Sequence, residues 1–310
     1  MSNNSGRKFN LRQEIYLQWH SAKQHKMLYL MILPFFVFFT VFTVYPVLQA
    51  VFYSFTDFNV LESPNWVGLT NYKELFADKI FLKAIQNTLI IAIFVGPFGY
   101  ILSFLLAWMI NELPHGLGTV LTVIFYAPSM AGNVSYIFTL IFANDRYGYL
   151  NGVLLKLGIL DEVVLWLSDE NTMMAVVIIV SLWMSLGVGF LSFVAGIKGV
   201  DKAQYEAAAI DGIRNRWQEL WYITLPNMKP QLLFGSVMAI TASLSVGTIA
   251  DGLVGFPSPG YATHTIANHL NDYGLLRMEM GKASAIAVVL FIMMIVANML
   301  IQKFLRNVGT

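Results

Sequence analysis

Residues 201–226 read D-K-A-Q-Y-E-A-A-A-I-D-G-I-R-N-R-W-Q-E-L-W-Y-I-T-L-P, a polar stretch between two long apolar segments. Two short helices are written into it. Asp201 can cap the first, with Gln204 three residues on to close a capping box, and Ala203, Ala207 and Ile210 fall on one face. Gly212 stands where a helix ends on a left-handed residue, a conformation glycine adopts at little steric cost. Asn215 and Gln218 repeat the box for a second helix with an apolar stripe of Trp217, Leu220 and Trp221. Pro226 and Pro230 then stop that helix and open the next apolar segment.

The flanks set the class. The chain is 57% apolar and 12% charged, well below the roughly 25% charged of soluble domains, and the apolar residues come in blocks. These predict an all-α, polytopic membrane protein with six spans, at about Met27–Tyr53, Ala84–Ile110, Thr119–Ala143, Met173–Ile197, Gln231–Ala250 and Ala283–Ile301. Each is close to the roughly 20 residues that cross about 30 Å of hydrocarbon. The first is too long for a signal-peptide core and lacks a small-residue cleavage site, so it reads as retained. Residues 1–26 form a polar, basic arm, residues 27–310 the six-span domain, and 198–230 its largest loop on the side of the termini. Zero cysteines exclude disulfides and thiolate chemistry. A net charge of +1 gives no ground for a nucleic-acid partner. No G-x-x-x-x-G-K-S/T occurs, so an ATP site of the Walker type is absent from the sequence.

Lysine and arginine give the orientation. The side with both termini and the 198–230 loop carries 12, and the other side carries 7 over a longer total length. The positive-inside rule therefore places the termini and residues 201–226 in the cytoplasm.

The stretch also resembles the EAA motif of permease subunits of ABC importers, in which Glu-Ala-Ala and, three residues on, Gly are followed after about nine residues by Ile-x-Leu-Pro. Glu206, Ala207, Ala208, Gly212, Ile223, Leu225 and Pro226 occupy those positions, and Asp211-Gly212 resembles the carbohydrate-uptake branch. Ten residues rather than nine separate Gly212 from Ile223. On an α-helix one extra residue turns the remainder of the helix by about 100°. Further stretches are similar to the maltose-type subunit: Gly68-Leu69-Thr70-Asn71-Tyr72, Asn87-Thr88-Leu89, Gly148-Tyr149-Leu150-Asn151, and Pro259-Gly260-Tyr261-Ala262-Thr263, which lacks that family's glycine pair.

The resemblance implies a fold of the type I ABC importer permease and a role as half of the translocation pathway for a carbohydrate. It implies a second homologous permease subunit as partner, two cytoplasmic ATPase subunits, an extracytoplasmic solute-binding protein and the lipid of a prokaryotic cytoplasmic membrane. ATP and Mg would be bound by the ATPases and no cofactor by this chain. Residues 201–226 would be the coupling element, with Glu206, Ala207, Ala208, Asp211, Gly212, Ile223, Leu225 and Pro226 as its motif positions. A surface hairpin without a partner is the plainer alternative. Loss of Glu219 is expected to matter less than loss of the motif positions if it faces solvent.

In the family the sugar sits on the spans either side of this loop. Ser181, Trp183 and Ser185 on the fourth span, Thr241, Ser245 and Thr248 on the fifth, and Asn133 in the third are the candidate pathway residues, with Ser181, Ser185 and Ser192 expected to share one face at helical spacing. Hydroxyls exchange hydrogen bonds with a sugar and an aromatic face covers its apolar side, although small hydroxyl residues also pack membrane helices together. No Asp, Glu, Lys or Arg falls within the predicted span cores, unlike an ion-coupled carrier. His264 and His269 are five apart, a spacing that does not put two imidazoles on one helical face. No catalytic constellation is present. An ABC permease for another solute remains the alternative function, and an ion-coupled carrier a further one.

Overall fold

The computed structural model describes residues 26–130 and 135–305. Nearly all of the predicted arm, and Asn133, lie outside the described residues. Apart from one antiparallel bridge between Thr56 and Trp66, every regular element among them is a helix. Four helices are long and apolar enough to cross a bilayer: α1 (Lys26–Tyr53), α3 (Lys79–Asn111), the pair α7 (Met173–Met184) and α8 (Val188–Lys198) taken together, and α14 (Met280–Leu305). The number is six if each of two bent pairs counts as one span: α4 (His115–Met130) with α5 (Ser135–Ile141), and α11 (Lys229–Leu244) with α12 (Gly247–Val254). The predicted spans fall on these helices and pairs.

The chain divides into two compact units, residues 1–52 and 53–310. In the first, α1 passes through a π turn at Thr40–Val44 directly before Tyr45-Pro46. Pro46 has no N–H to give and its ring crowds the preceding turn, and a widened turn accommodates both.

In the second unit α3 is the element on which the others pack, with α7, α8 and α11 along its length. Close approach is possible because small residues meet. A Cβ on Gly96 would fall 3.3 Å from Ser243 Oγ, and one on Gly99 would fall 2.6 Å from Ser185 Oγ. Between α8 and α11, Gly189 faces the backbone of Gly235, and Gly235 leaves room for the Phe193 ring. Membrane helices associate through such contacts because hydrocarbon gives apolar side chains no reason to leave it. A core of Phe104, Ala107, Ile110, Phe190, Phe193 and Met228 fills the end where α3 finishes.

At the other end of α3, buried asparagines hold the connections. Asn71 Nδ2 donates to the carbonyls of Ser54 and Thr56, at 2.9 and 2.8 Å. Asn87 Nδ2 donates to those of Tyr261 and His264, both at 2.9 Å. Asn151, in α6 (Tyr149–Lys156), donates to Ala143 and Val164 and accepts from Trp166 Nε1. Thr88 Oγ1 accepts from the Ile266 N–H that opens α13 (Ile266–Asn271), at 2.9 Å. Unpaired carbonyls near the membrane are costly, and one carboxamide satisfies two of them. The remaining short helix, α2 (Thr70–Ala77), carries Asn71 and leads into α3.

The Gly235–Phe193 contact makes a prediction. A valine at 235 would place its Cβ 2.4 Å from Phe193 Cζ, and overpacking of this kind costs about 1–3 kcal/mol. Gly235→Val is expected to lower the thermal unfolding midpoint of the detergent-purified protein, whereas Gly116→Ala, where a Cβ meets nothing within 4 Å, leaves it nearly unchanged.

Candidate coupling hairpin and transmembrane faces

The 201–226 stretch folds as a helical hairpin. Asp201 caps α9 (Lys202–Ile210), its carboxylate accepting from Ala203 N at 3.0 Å. Gln204 does not close the predicted box, because its Oε1 accepts from Asn227 Nδ2 at 2.6 Å and so joins the two ends of the hairpin. The helix ends with Gly212 at φ +96°. Gly212 N donates to Ala209 O and Ile213 N to Ala208 O, the paired bonds of a glycine-terminated helix. Asn215 caps α10 (Arg216–Glu219), accepting from Gln218 N at 2.9 Å, while Gln218 Oε1 takes the N–H of Arg214, one residue short of the predicted partner.

Helix α10 runs on through a π turn at Leu220–Thr224 into the last turn, Leu225–Asn227. A π turn holds one residue more than an α turn. The turn overlaps the interval that holds the tenth residue between Gly212 and Ile223.

The hairpin has two distinct surfaces. Ala208, Leu220, Ile223 and Thr224 are buried, and Leu225 and Pro226 half-buried. Tyr205 Oη and Thr224 Oγ1 share a hydrogen bond of 2.9 Å that ties one helix to the other. Ala203, Glu206, Ala207, Asp211 and Gly212 are exposed, with Ile210 87% exposed. The predicted stripe on α10 is split, since Leu220 is inside while Trp217 and Trp221 are exposed. Glu219 does not face solvent freely: it accepts from Arg216 at 2.6 Å with a half-buried side chain. The roles of Tyr205, Thr224 and Gln204 in closing the hairpin are not readable in the sequence, where no periodicity links residues some twenty apart.

Residues 99–309 match the family described as binding-protein-dependent transport system inner membrane component. The chain belongs to this family. The permease is 30% identical to the probable ABC transporter permease protein YesP of Bacillus subtilis, covering 89% of each chain. It is also 30% identical to the arabinooligosaccharides transport system permease protein AraP of the same organism, over 89% of this chain and 87% of AraP. In structure it is similar to a chain of a bacterial ABC transporter involved in the import of the acidic polysaccharide alginate, with TM-score 0.76, 25% identity, and coverage of 94% and 99%. The alginate transporter in complex with alginate pentasaccharide-bound periplasmic protein gives the same TM-score. Members of this family are transport components rather than enzymes.

On the spans flanking the hairpin, the permease separates the predicted pathway residues into two groups. Thr241, Ser245 and Thr248 are exposed on the face of α11 and α12 that this chain leaves uncovered, and Trp183 is exposed on α7. Ser181 is buried, and Ser185 lies against Gly99, its hydroxyl donating to Leu182 O at 2.6 Å. The predicted continuous serine face does not exist, because the helix breaks between Met184 and Val188. A second break, with a 43° bend, falls between Leu244 and Gly247. Helix α12 extends to Val254 and so brings half-buried Asp251, read from the sequence as a loop residue, into the last turns of the fifth span.

His264 and His269 do meet, Nε2 to Nδ1 at 3.1 Å. The spacing argument misses this because His264 precedes α13, whose cap is Thr265. Burial, reinforced by His269, holds His264 down to about 4, and burial likewise lowers His269 against the opposing pull of Asp78. The 3.6 Å approach of His269 Nε2 to Asp78 is therefore a contact of a neutral ring at pH 7. Among the described residues no group of three or more His, Cys, Asp and Glu is placed to hold a metal.

Gly212 is the hairpin position where backbone alone decides. A Cβ there meets nothing within 4 Å, so the cost of substitution is the positive φ, about 1–2 kcal/mol for an ordinary residue and less for asparagine. Gly212→Val is expected to lower the thermal unfolding midpoint of the detergent-purified permease, and Gly212→Asn to leave it closer to that of the unaltered protein.

Proposed function

We propose that this permease forms half of the translocation pathway of an ATP-driven carbohydrate importer. It pairs with a second, homologous permease, receives solute from an extracytoplasmic binding protein, and couples through residues 201–226 to two cytoplasmic ATPase subunits that bind ATP and Mg. The carrying observation is the hairpin, closed internally by Tyr205–Thr224 and Gln204–Asn227 while it presents Ala203, Glu206, Ala207, Ile210 and Asp211 outward. A hairpin stiffened in this way passes on a push as a rigid body. Small Ala203 and Ala207 let it sink into a groove, and Glu206 offers a charge to a basic partner. The excess of lysine and arginine on the side of the hairpin supports a cytoplasmic location for it and for both termini. Arabinooligosaccharide and alginate transport among similar proteins support the carbohydrate.

The exposed hydroxyls Thr241, Ser245 and Thr248, with Trp183, form the sugar-facing set. Ser181 and Ser185 act in packing. The helix breaks beside both groups free backbone polar atoms, a feature tolerated at membrane depth where the backbone is buried in protein or lines a water-filled cavity.

Two experiments test the reading. With no native cysteine, a cysteine at Glu62 or Asp169 is expected to react with an impermeant thiol reagent on intact cells, and one at Ala209 or Asn215 only after the membrane is opened. Labelling of position 209 from outside refutes the orientation. In uptake assays with neutral and acidic oligosaccharides set against spermidine and phosphate, the oligosaccharides are expected to be taken up. Thr241→Leu or Ser245→Leu should then weaken apparent affinity about tenfold, given about 1–3 kcal/mol for a hydrogen-bonding group left unpaired. Uptake of phosphate or spermidine alone points to another solute class.

A further inference from the structure

The second hairpin helix touches the end of α3 at three points. Arg216 Nη2 lies 3.2 Å from Glu112 Oε2, at the residue that ends α3. The rings of Trp217 and Trp108 stand 5.0 Å apart, tilted by 49°. Leu220 is buried in the core that includes Ala107 and Ile110. Residues 216, 217 and 220 thus meet the last turn of α3, residues 107–112. Beside these contacts lies a polar groove of about 500 Å³, lined by Trp108, Glu112, Lys198, Tyr205, Glu206 and Arg216 among others.

The placement of Arg216 is informative. A cation at the first position of a helix opposes that helix's own dipole, whereas near the C-terminus of another helix it is favoured. The guanidinium turns from α10 to Glu112 at the C-terminal end of α3 and to Glu219. An ion pair this exposed adds little to stability, so what it supplies is position.

We infer that Glu112 and Arg216, with Trp108 against Trp217, clasp the second hairpin helix to the end of α3 and position it, so that movement of the hairpin reaches α3 and, through it, the faces of α7 and α11. This rests on the reading of residues 201–226 as the coupling element. Helix α3 is suited to the task because it is one helix of 33 residues, with Pro97 inside it, and packs on α7, α8 and α11. Without the clasp, the buried Leu220 would be left as the link from the second hairpin helix to the end of α3.

The test uses the purified complex, with its partner permease and ATPases, carrying Thr241→Cys as a reporter of the α11 face. The rate of thiol labelling at 241 is measured with and without ATP and vanadate, together with ATP hydrolysis and retention of the ATPase. Glu112→Arg or Arg216→Glu alone, and Trp108→Leu, are expected to leave retention and hydrolysis unchanged. They should shrink the nucleotide-dependent change in labelling about tenfold, a coupling of the size that contacting residues show. The double exchange Glu112→Arg with Arg216→Glu should restore most of it. An undiminished response in the single variants, a double exchange no better than either single, or loss of the ATPase from the single variants would overturn the clasp. If the reporter complex itself retains no ATPase, or shows no nucleotide response at 241, the coupling reading fails and the clasp with it.

Discussion

Close approach of helices is the constraint on which this structure depends. In hydrocarbon, apolar side chains gain nothing by turning inward, so spans are held by fit and by satisfied polar atoms. Helix α3 supplies the fit. Gly96 and Gly99 let Ser243 and Ser185 lie against it, and the Gly189–Gly235 contact brings α8 and α11 together beside it. The division of the hydroxyls is a consequence. Ser185, against Gly99 and bonded to Leu182 O, is taken up by packing, whereas Thr241, bonded to Val237 O of its own helix, and Ser245 and Thr248 stay on the side of α11 and α12 that this chain leaves uncovered.

The two ends of the bundle solve different problems. Away from the hairpin, Asn71, Asn87 and Asn151 each use one carboxamide to close two loop carbonyls, which fixes the connections rigidly. At the hairpin end the apolar core continues into Leu220, the outer contacts with α3 are partly exposed, and a polar groove lies beside them.

Much of this is legible in the sequence for identifiable reasons. Span boundaries come from runs of apolar residues set against an aqueous loop, a signal that depends on no tertiary contact. The Asp201 and Asn215 caps and the Gly212 bend are local, and they form as read. The features that escape the sequence are non-local. Gln204 turns to Asn227 because a partner brought near by the fold competes with the backbone N–H at the cap. The serines of the fourth span would share one face only on a helix unbroken past Ser185. Helical spacing keeps His264 and His269 apart, but one of them lies before the helix starts. The asparagine-bearing motifs can be recognised as resemblances, and only the coordinates explain them, as buried amides that close carbonyls far away in sequence.

The π turn at Leu220–Thr224 bears on how such hairpins change over time. A loop that meets a partner through a fixed surface would ordinarily be closed to length variation, since each gained or lost residue would spin the next segment out of alignment. A widened turn takes up one residue locally, so a hairpin that contains one tolerates a change of length that a plain α-helix would pass on as a rotation.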